Sequence, residues 1–100
     1  SFANEMKMIC DGINIDYDKV VEYATHDERL GKSHWVVPGP DGKLGFGGSC
    51  FPKDVNALIS FAESVGVDSN VLSSAWKTNL KVRPEEDWKE LKGRAVVEDE

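Results

Sequence analysis

The stretch Leu44-Gly45-Phe46-Gly47-Gly48-Ser49-Cys50-Phe51-Pro52-Lys53-Asp54 runs a glycine-dense loop into a helix start. Pro52 suits the first turn of a helix, where a missing N–H costs no intrahelical bond, and Asp54 complements the dipole of that turn. Downstream, Val55, Leu58, Ile59, Ala62 and Val65 recur at helical spacing up to Gly66, a suitable left-handed stop. Proline fixes one end of this helix and glycine the other. Its apolar stripe is expected to hold the helix start under Cys50 rigid.

Helical spacing continues on both sides. Phe2, Met6, Ile9 and Ile13 form one stripe that ends near Gly12, with Ala3 and Cys10 beside it. Asp16 can cap a second helix carrying Tyr17, Val20, Val21 and Ala24. After Gly66, Asp68 or Ser69 can cap a helix whose face is Leu72, Ala75, Trp76, Asn79 and Leu80. Asn79 is a polar group within that stripe and needs a partner. Pro84, with Glu85, Glu86 and Asp87 behind it, reads as the opening of a last short helix that Gly93 ends. Between Gly31 and Cys50 the periodicity disappears and six of the nine glycines gather. A structureless stretch of that length is functional or disordered. The functional reading is expected here, with Trp35, Val36, Val37 and Leu44 pinning the loop. The fold expected is all-α: a small helical domain over residues 1–95, packed around one core, followed by an acidic tail over 96–100.

Composition sets limits. One hundred residues, 40% hydrophobic and 30% charged, suit one soluble globular domain. A net charge of −6 argues against nucleic acid as a partner, because phosphate binding needs a basic face. No run of 18 apolar residues or basic leader is visible, so neither a membrane span nor a signal peptide is expected. Cys10, Cys50, His26 and His34 do not make metal-ligand spacing. Cys10 falls on an apolar helical face and reads as a packed core thiol, with a Cys10–Cys50 disulfide as the alternative. A free thiol fits the cytoplasm.

Cys50 admits two readings. A lone cysteine is often a small buried hydrophobe. Against that, the backbone N–H groups and dipole of a helix start favour an anion, and Lys53 adds a cation. Gly45, Gly47 and Gly48 leave the approach free of side chains, so a substrate can lie against the backbone. Asp54, four residues on, can face the same space and take a proton.

Gly45 to Asp54 also resembles the cysteine motif of the nucleotide-sugar dehydrogenases, the UDP-glucose/GDP-mannose dehydrogenase family, and its form is nearer to the members that oxidise UDP-glucose. Ser1-Phe2-Ala3-Asn4-Glu5 is similar to the end of the family's long central helix, Arg29-Leu30-Gly31 to its R-[IL]-G element, and Val37-Pro38-Gly39-Pro40-Asp41-Gly42 to a loop of many bacterial members. The resemblance implies a central, dimer-forming domain of an enzyme that oxidises UDP-glucose to UDP-glucuronate in two steps with NAD. An aldehyde must gain a nucleophile before a second hydride can leave, which is the work of the thiol. Carried over by position, Cys50 is the nucleophile and Asp54 orients the hydrolytic water. Lys53 lies near the nicotinamide, and Leu44, Gly45, Phe46, Gly47 and Gly48 line the sugar and nucleotide pocket. Arg29 reaches the substrate from the other subunit of a homodimer, whose contact is expected near Phe2, Met6, Ile9 and Trp35.

The chain departs from the family in having no G-x-G-x-x-G turn after a strand. The NAD-binding domain, the family's catalytic lysine and asparagine, and the second nucleotide-binding domain are all missing, so this chain alone is expected to be inactive. Two other readings stand beside the first: a dimerisation module with an incidental thiol, and a small thiol enzyme unrelated to sugar oxidation. The second of these is weakened because no histidine lies at local spacing to serve Cys50 as a base.

Overall fold

A computed structural model describes residues 1–90. The expected helix end at Gly93 and the acidic tail lie outside these residues. Four α-helices follow one another: α1 (Phe2–Gly12), α2 (Tyr17–Ala24), α3 (Cys50–Ser64) and α4 (Asn70–Val82). The described residues contain no strand.

Local signals set most helix limits. The Asp16 carboxylate accepts a hydrogen bond from Asp18 N at 3.0 Å and so caps α2. Gly66 adopts φ +75°. There it lets Val67 N reach back to Ala62 O at 2.9 Å, closing α3 with a left-handed turn. Ser69 stands at the N-cap of α4, but its hydroxyl makes no capping bond; it lies 3.2 Å from Ser73 Oγ instead.

The helix expected from Pro84 is replaced by a turn and a short 3₁₀ segment, Asp87–Glu90. Glu86 sits at φ +44°, outside the right-handed region, which interrupts helical winding. The turn sends Trp88 inward, where it is 4% exposed.

The apolar interior is small. Cys10, Tyr17 and Val37 form its buried centre, and Ala3, Met6 and Val21 pack against it. Met6, expected near the dimer contact, is half-buried against this interior. The rest of that contact remains open: Phe2, Ile9 and Ile13 are exposed, although Phe2 meets Trp35 edge-on at 6.2 Å. The stripe of α3 is packed in part, with Val55, Ile59 and Ala62 half-buried. Leu58, Phe61 and Val65 are exposed, and Pro52 is that helix's buried residue. Val20 and Ala24 of α2 also face outward.

Candidate active site

The site begins where the long irregular segment enters α3. Cys50 is the first residue of α3, one position further into the helix than the sequence suggests, and its thiol is exposed and free. Cys10 is free and buried, so the two cysteines are not joined. Cys50 Sγ lies 3.7 Å from Ser49 Oγ. Pro52, fully buried in the first turn, anchors the helix start without needing a backbone donor. Lys53 and Asp54 are exposed neighbours, with Nζ and Oδ1 3.8 Å apart. Asp54 is four residues from Cys50, and side chains at that spacing share a helix face.

The glycine loop is held by polar side chains of α1, α4 and the turn after α4. Asn79, with no exposed surface, accepts from Phe46 N at 2.7 Å and donates to Phe46 O at 2.9 Å. One amide thus satisfies both backbone groups of Phe46, and a polar residue in an apolar stripe finds its partners. Asn4 Oδ1 accepts from Gly45 N at 3.1 Å. The Phe46 ring packs 4.9 Å from Phe51 and 5.9 Å from Trp76, and Trp76 stacks on toward Trp88.

Arg83 escapes a sequence reading altogether. It is 2% exposed, yet its guanidinium makes four hydrogen bonds: Nε and Nη2 donate to the two oxygens of Asp87, Nη2 also to Asp41 Oδ2 at 2.8 Å, and Nη1 to Leu44 O at 3.2 Å. A buried charge needs such pairing. Donation to the Asp87 and Asp41 carboxylates pushes the Arg83 pKa up, and Arg83 in turn holds both carboxyls below the usual carboxylate range. The i, i+4 spacing of Arg83 and Asp87 is the one local hint of this cluster.

Two glycines are required by these close approaches. Gly45 has φ +67°, and a Cβ there would collide with the Asn79 amide. At Gly47 a Cβ would stand 2.5 Å from Arg83 Nη2. Gly48 has φ +78° and open space around it. Of the expected apolar anchors, Val37 is buried and Trp35 half-buried, but Val36 and Leu44 are largely exposed. The loop is pinned chiefly by amide and guanidinium groups.

A cleft of about 690 Å³ opens beside this loop. Asn4, His34, Asp41, Gly45, Phe46 and Phe51 are among its walls, with Arg83 behind them. Cys50 is not itself in the wall; its neighbour Phe51 is. Arg29 does not line this cleft; its side chain is 88% exposed and pairs with Asp27 at 2.7 Å, an interaction that raises its pKa. The described residues hold no group of three or more side chains able to bind a metal ion. No described helix is long and apolar enough to cross a membrane. They also offer no strand-to-helix crevice, the usual seat of a dinucleotide, so they do not by themselves fit NAD.

An all-helical chain with a glycine loop feeding a helix-start thiol defines a class, and comparison with known proteins agrees with it. The model of the UDP-glucose/GDP-mannose dehydrogenase family, central domain, matches residues 1–81. UDP-glucose 6-dehydrogenase of Pseudomonas aeruginosa is 41% identical over 81 residues, which are 81% of this chain and 17% of that protein. UDP-glucose 6-dehydrogenase TuaD of Bacillus subtilis is 37% identical over 83 residues, covering 83% of this chain and 17% of the relative. GDP-mannose 6-dehydrogenase of Pseudomonas syringae pv. tomato is 38% identical over 80 residues, again 17% of its length. No solved structure matches. The chain belongs to the UDP-glucose/GDP-mannose dehydrogenase family and corresponds to its central domain. It spans about a sixth of the length of the curated relatives it matches.

Proposed function

We propose that residues 1–95 are the cysteine-bearing central unit of an NAD-dependent UDP-glucose 6-dehydrogenase, with Cys50 as its nucleophile. The observation that carries this reading is the exposed, unpaired thiol on the first residue of α3, directly after a loop whose conformation buried polar groups fix. The Cys50 thiolate adds to the carbonyl carbon of a sugar aldehyde. A C–S bond forms, the carbonyl pair moves to oxygen, and that oxygen takes up a proton to give a thiohemiacetal. The thiohemiacetal carbon would become a thioester by losing a hydride to NAD and the proton from its oxygen; the described residues do not seat that cofactor, and Lys53 is the contribution α3 would make beside it.

The acid is released at the same sulfur. Asp54 takes a proton from a water molecule, the water oxygen bonds to the thioester carbon, and the C–S bond breaks to regenerate thiolate. Gly45 and Phe46, which line the adjoining cleft, present backbone to the nucleotide sugar, with Leu44, Gly47 and Gly48 continuing the same loop on either side. The exposed Phe2 and Ile9 of α1, with Ile13 just past its end, support a homodimer formed through that helix, with Arg29 offered to the partner's site. The GDP-mannose 6-dehydrogenase relative supports GDP-mannose as the second substrate reading.

Two measurements test this. In the complete enzyme, Cys50→Ala should abolish NAD reduction beyond the aldehyde level with UDP-glucose; a variant that still forms the acid refutes the role. In this chain, iodoacetamide should label Cys50 while the native fold protects Cys10.

A further inference from the structure

We propose that Arg83 is a positioning residue for this site: by tying Asp41, Leu44 and Asp87 together it sets the backbone course of Gly45–Gly48 and hence the presentation of Cys50. The inference rests on the reading of Cys50 as the nucleophile. Arg83 and Asp87 lie beyond residues 1–81, the part the family comparison covers, so the family match assigns them nothing.

The geometry is that of a clamp with two arms. Asp87, one helical turn away, fixes the guanidinium plane through a two-point contact. The other edge of the plane faces the loop, where Nη2 holds the Asp41 carboxylate and Nη1 the Leu44 carbonyl. Asp41 belongs to a tight turn of its own, closed by Gly39 N to Lys43 O and Gly42 N to Gly39 O, each 2.9 Å. Leu44 begins the segment that leads to Cys50. Arg83 therefore joins the outer turn of the loop to its inner, substrate-facing strip.

Gly47 records how closely the two surfaces meet. Its missing side chain is the space the guanidinium occupies, since a Cβ would stand 2.5 Å from Nη2 and 2.7 Å from Asp87 Oδ1. Lysine is not a substitute, because the three donors of one ammonium nitrogen cannot reach four acceptor oxygens spread along two edges of a planar fork. If loop position matters to the thiol, Arg83→Lys and Arg83→Met should both alter its chemistry, and lysine should restore only part.

The test uses this chain with Arg83→Lys, Arg83→Met and the milder Asp41→Asn, which removes the charge from the loop-side arm and leaves Arg83 with Leu44 and Asp87. Amide exchange at Phe46 and Gly45 reads the clamp, Cys50 alkylation by iodoacetamide reads thiol presentation, and Cys10 labelling reports whether the fold survives. Expected are a loss of Phe46 protection by about tenfold or more in Asp41→Asn, a larger loss in Arg83→Met with lysine between, and a changed Cys50 rate while Cys10 stays protected. Unchanged protection in Asp41→Asn overturns the clamp. Lost protection with an unchanged Cys50 rate makes Arg83 merely structural and overturns the positioning role. A Cys50 that resists labelling in the unsubstituted chain overturns both the thiol reading and the positioning role built on it, and leaves the exchange result to judge the clamp alone.

Discussion

The glycine loop and helix α3 meet at Cys50, yet they are held in opposite ways. The loop has little regular structure and is fixed by buried polar side chains, with Asn79 fully enclosed and Arg83 nearly so. α3 is regular over 15 residues and half-buries Val55, Ile59 and Ala62 of its apolar stripe, yet it leaves Leu58, Phe61 and Val65 exposed. Regular hydrogen bonding is therefore no guide to which part of the site is anchored. The irregular part is secured within the chain, and the helical part presents an apolar surface beyond it.

That contrast can be broken most severely at Asn79. Asn79→Leu removes the partner of both Phe46 backbone groups, and stability should fall by about 3 kcal/mol in urea unfolding. A loss below about 1 kcal/mol would mean that apolar contacts, and not the amide, hold the loop. Next comes Gly47→Ala, expected to cost about 2 kcal/mol because its methyl drives into the Arg83 guanidinium. Gly48→Ala meets nothing and pays only for its positive φ, about 1 kcal/mol by the same measurement.

Acid should weaken the loop specifically. Hydrogen bonds from Arg83 hold the Asp41 and Asp87 carboxyls below their ordinary range. Each therefore binds fewer protons folded than unfolded, and stability rises with pH through that window. Their contribution is complete above the unfolded value of about 3.9 and is lost as pH falls through the lower folded values. Stability measured against pH should show a shallower acid slope in Asp41→Asn. The smallest effect is expected on α3, where Leu58→Ser should change the unfolding midpoint by no more than about 0.5 kcal/mol. A loss as large as that of Asn79→Leu would show the stripe to be packed and reverse the comparison.

What could be read from the chain follows the range of the forces involved. Pro52, Gly66 and Asp16 act within one turn, so the limits of α2 and α3 are legible in sequence. Asn79 is legible as a polar group in need of a partner, but not which partner, because Phe46 is 33 residues away. Arg83 near a helix end looks like an ordinary surface cation, and its contact with Asp41 spans 42 residues. Val36 and Leu44 mislead in the other direction, since apolar character in an irregular segment has no period to tell inside from outside. The α3 stripe has a clear period, and period alone tells which residues share a face but not what covers it.

The hydroxyl beside the thiol carries one more consequence. Ser49 precedes α3 in a helical conformation, φ −94° and ψ −36°, and its hydroxyl makes no capping bond to the backbone of the helix. α3 thereby forgoes the roughly 1 kcal/mol that a bonded serine contributes at such a position. With Pro52 carrying no N–H, the other leading amides of α3 go without a serine acceptor, and the helix is less stable at the end that bears the thiol than at the end that Gly66 closes.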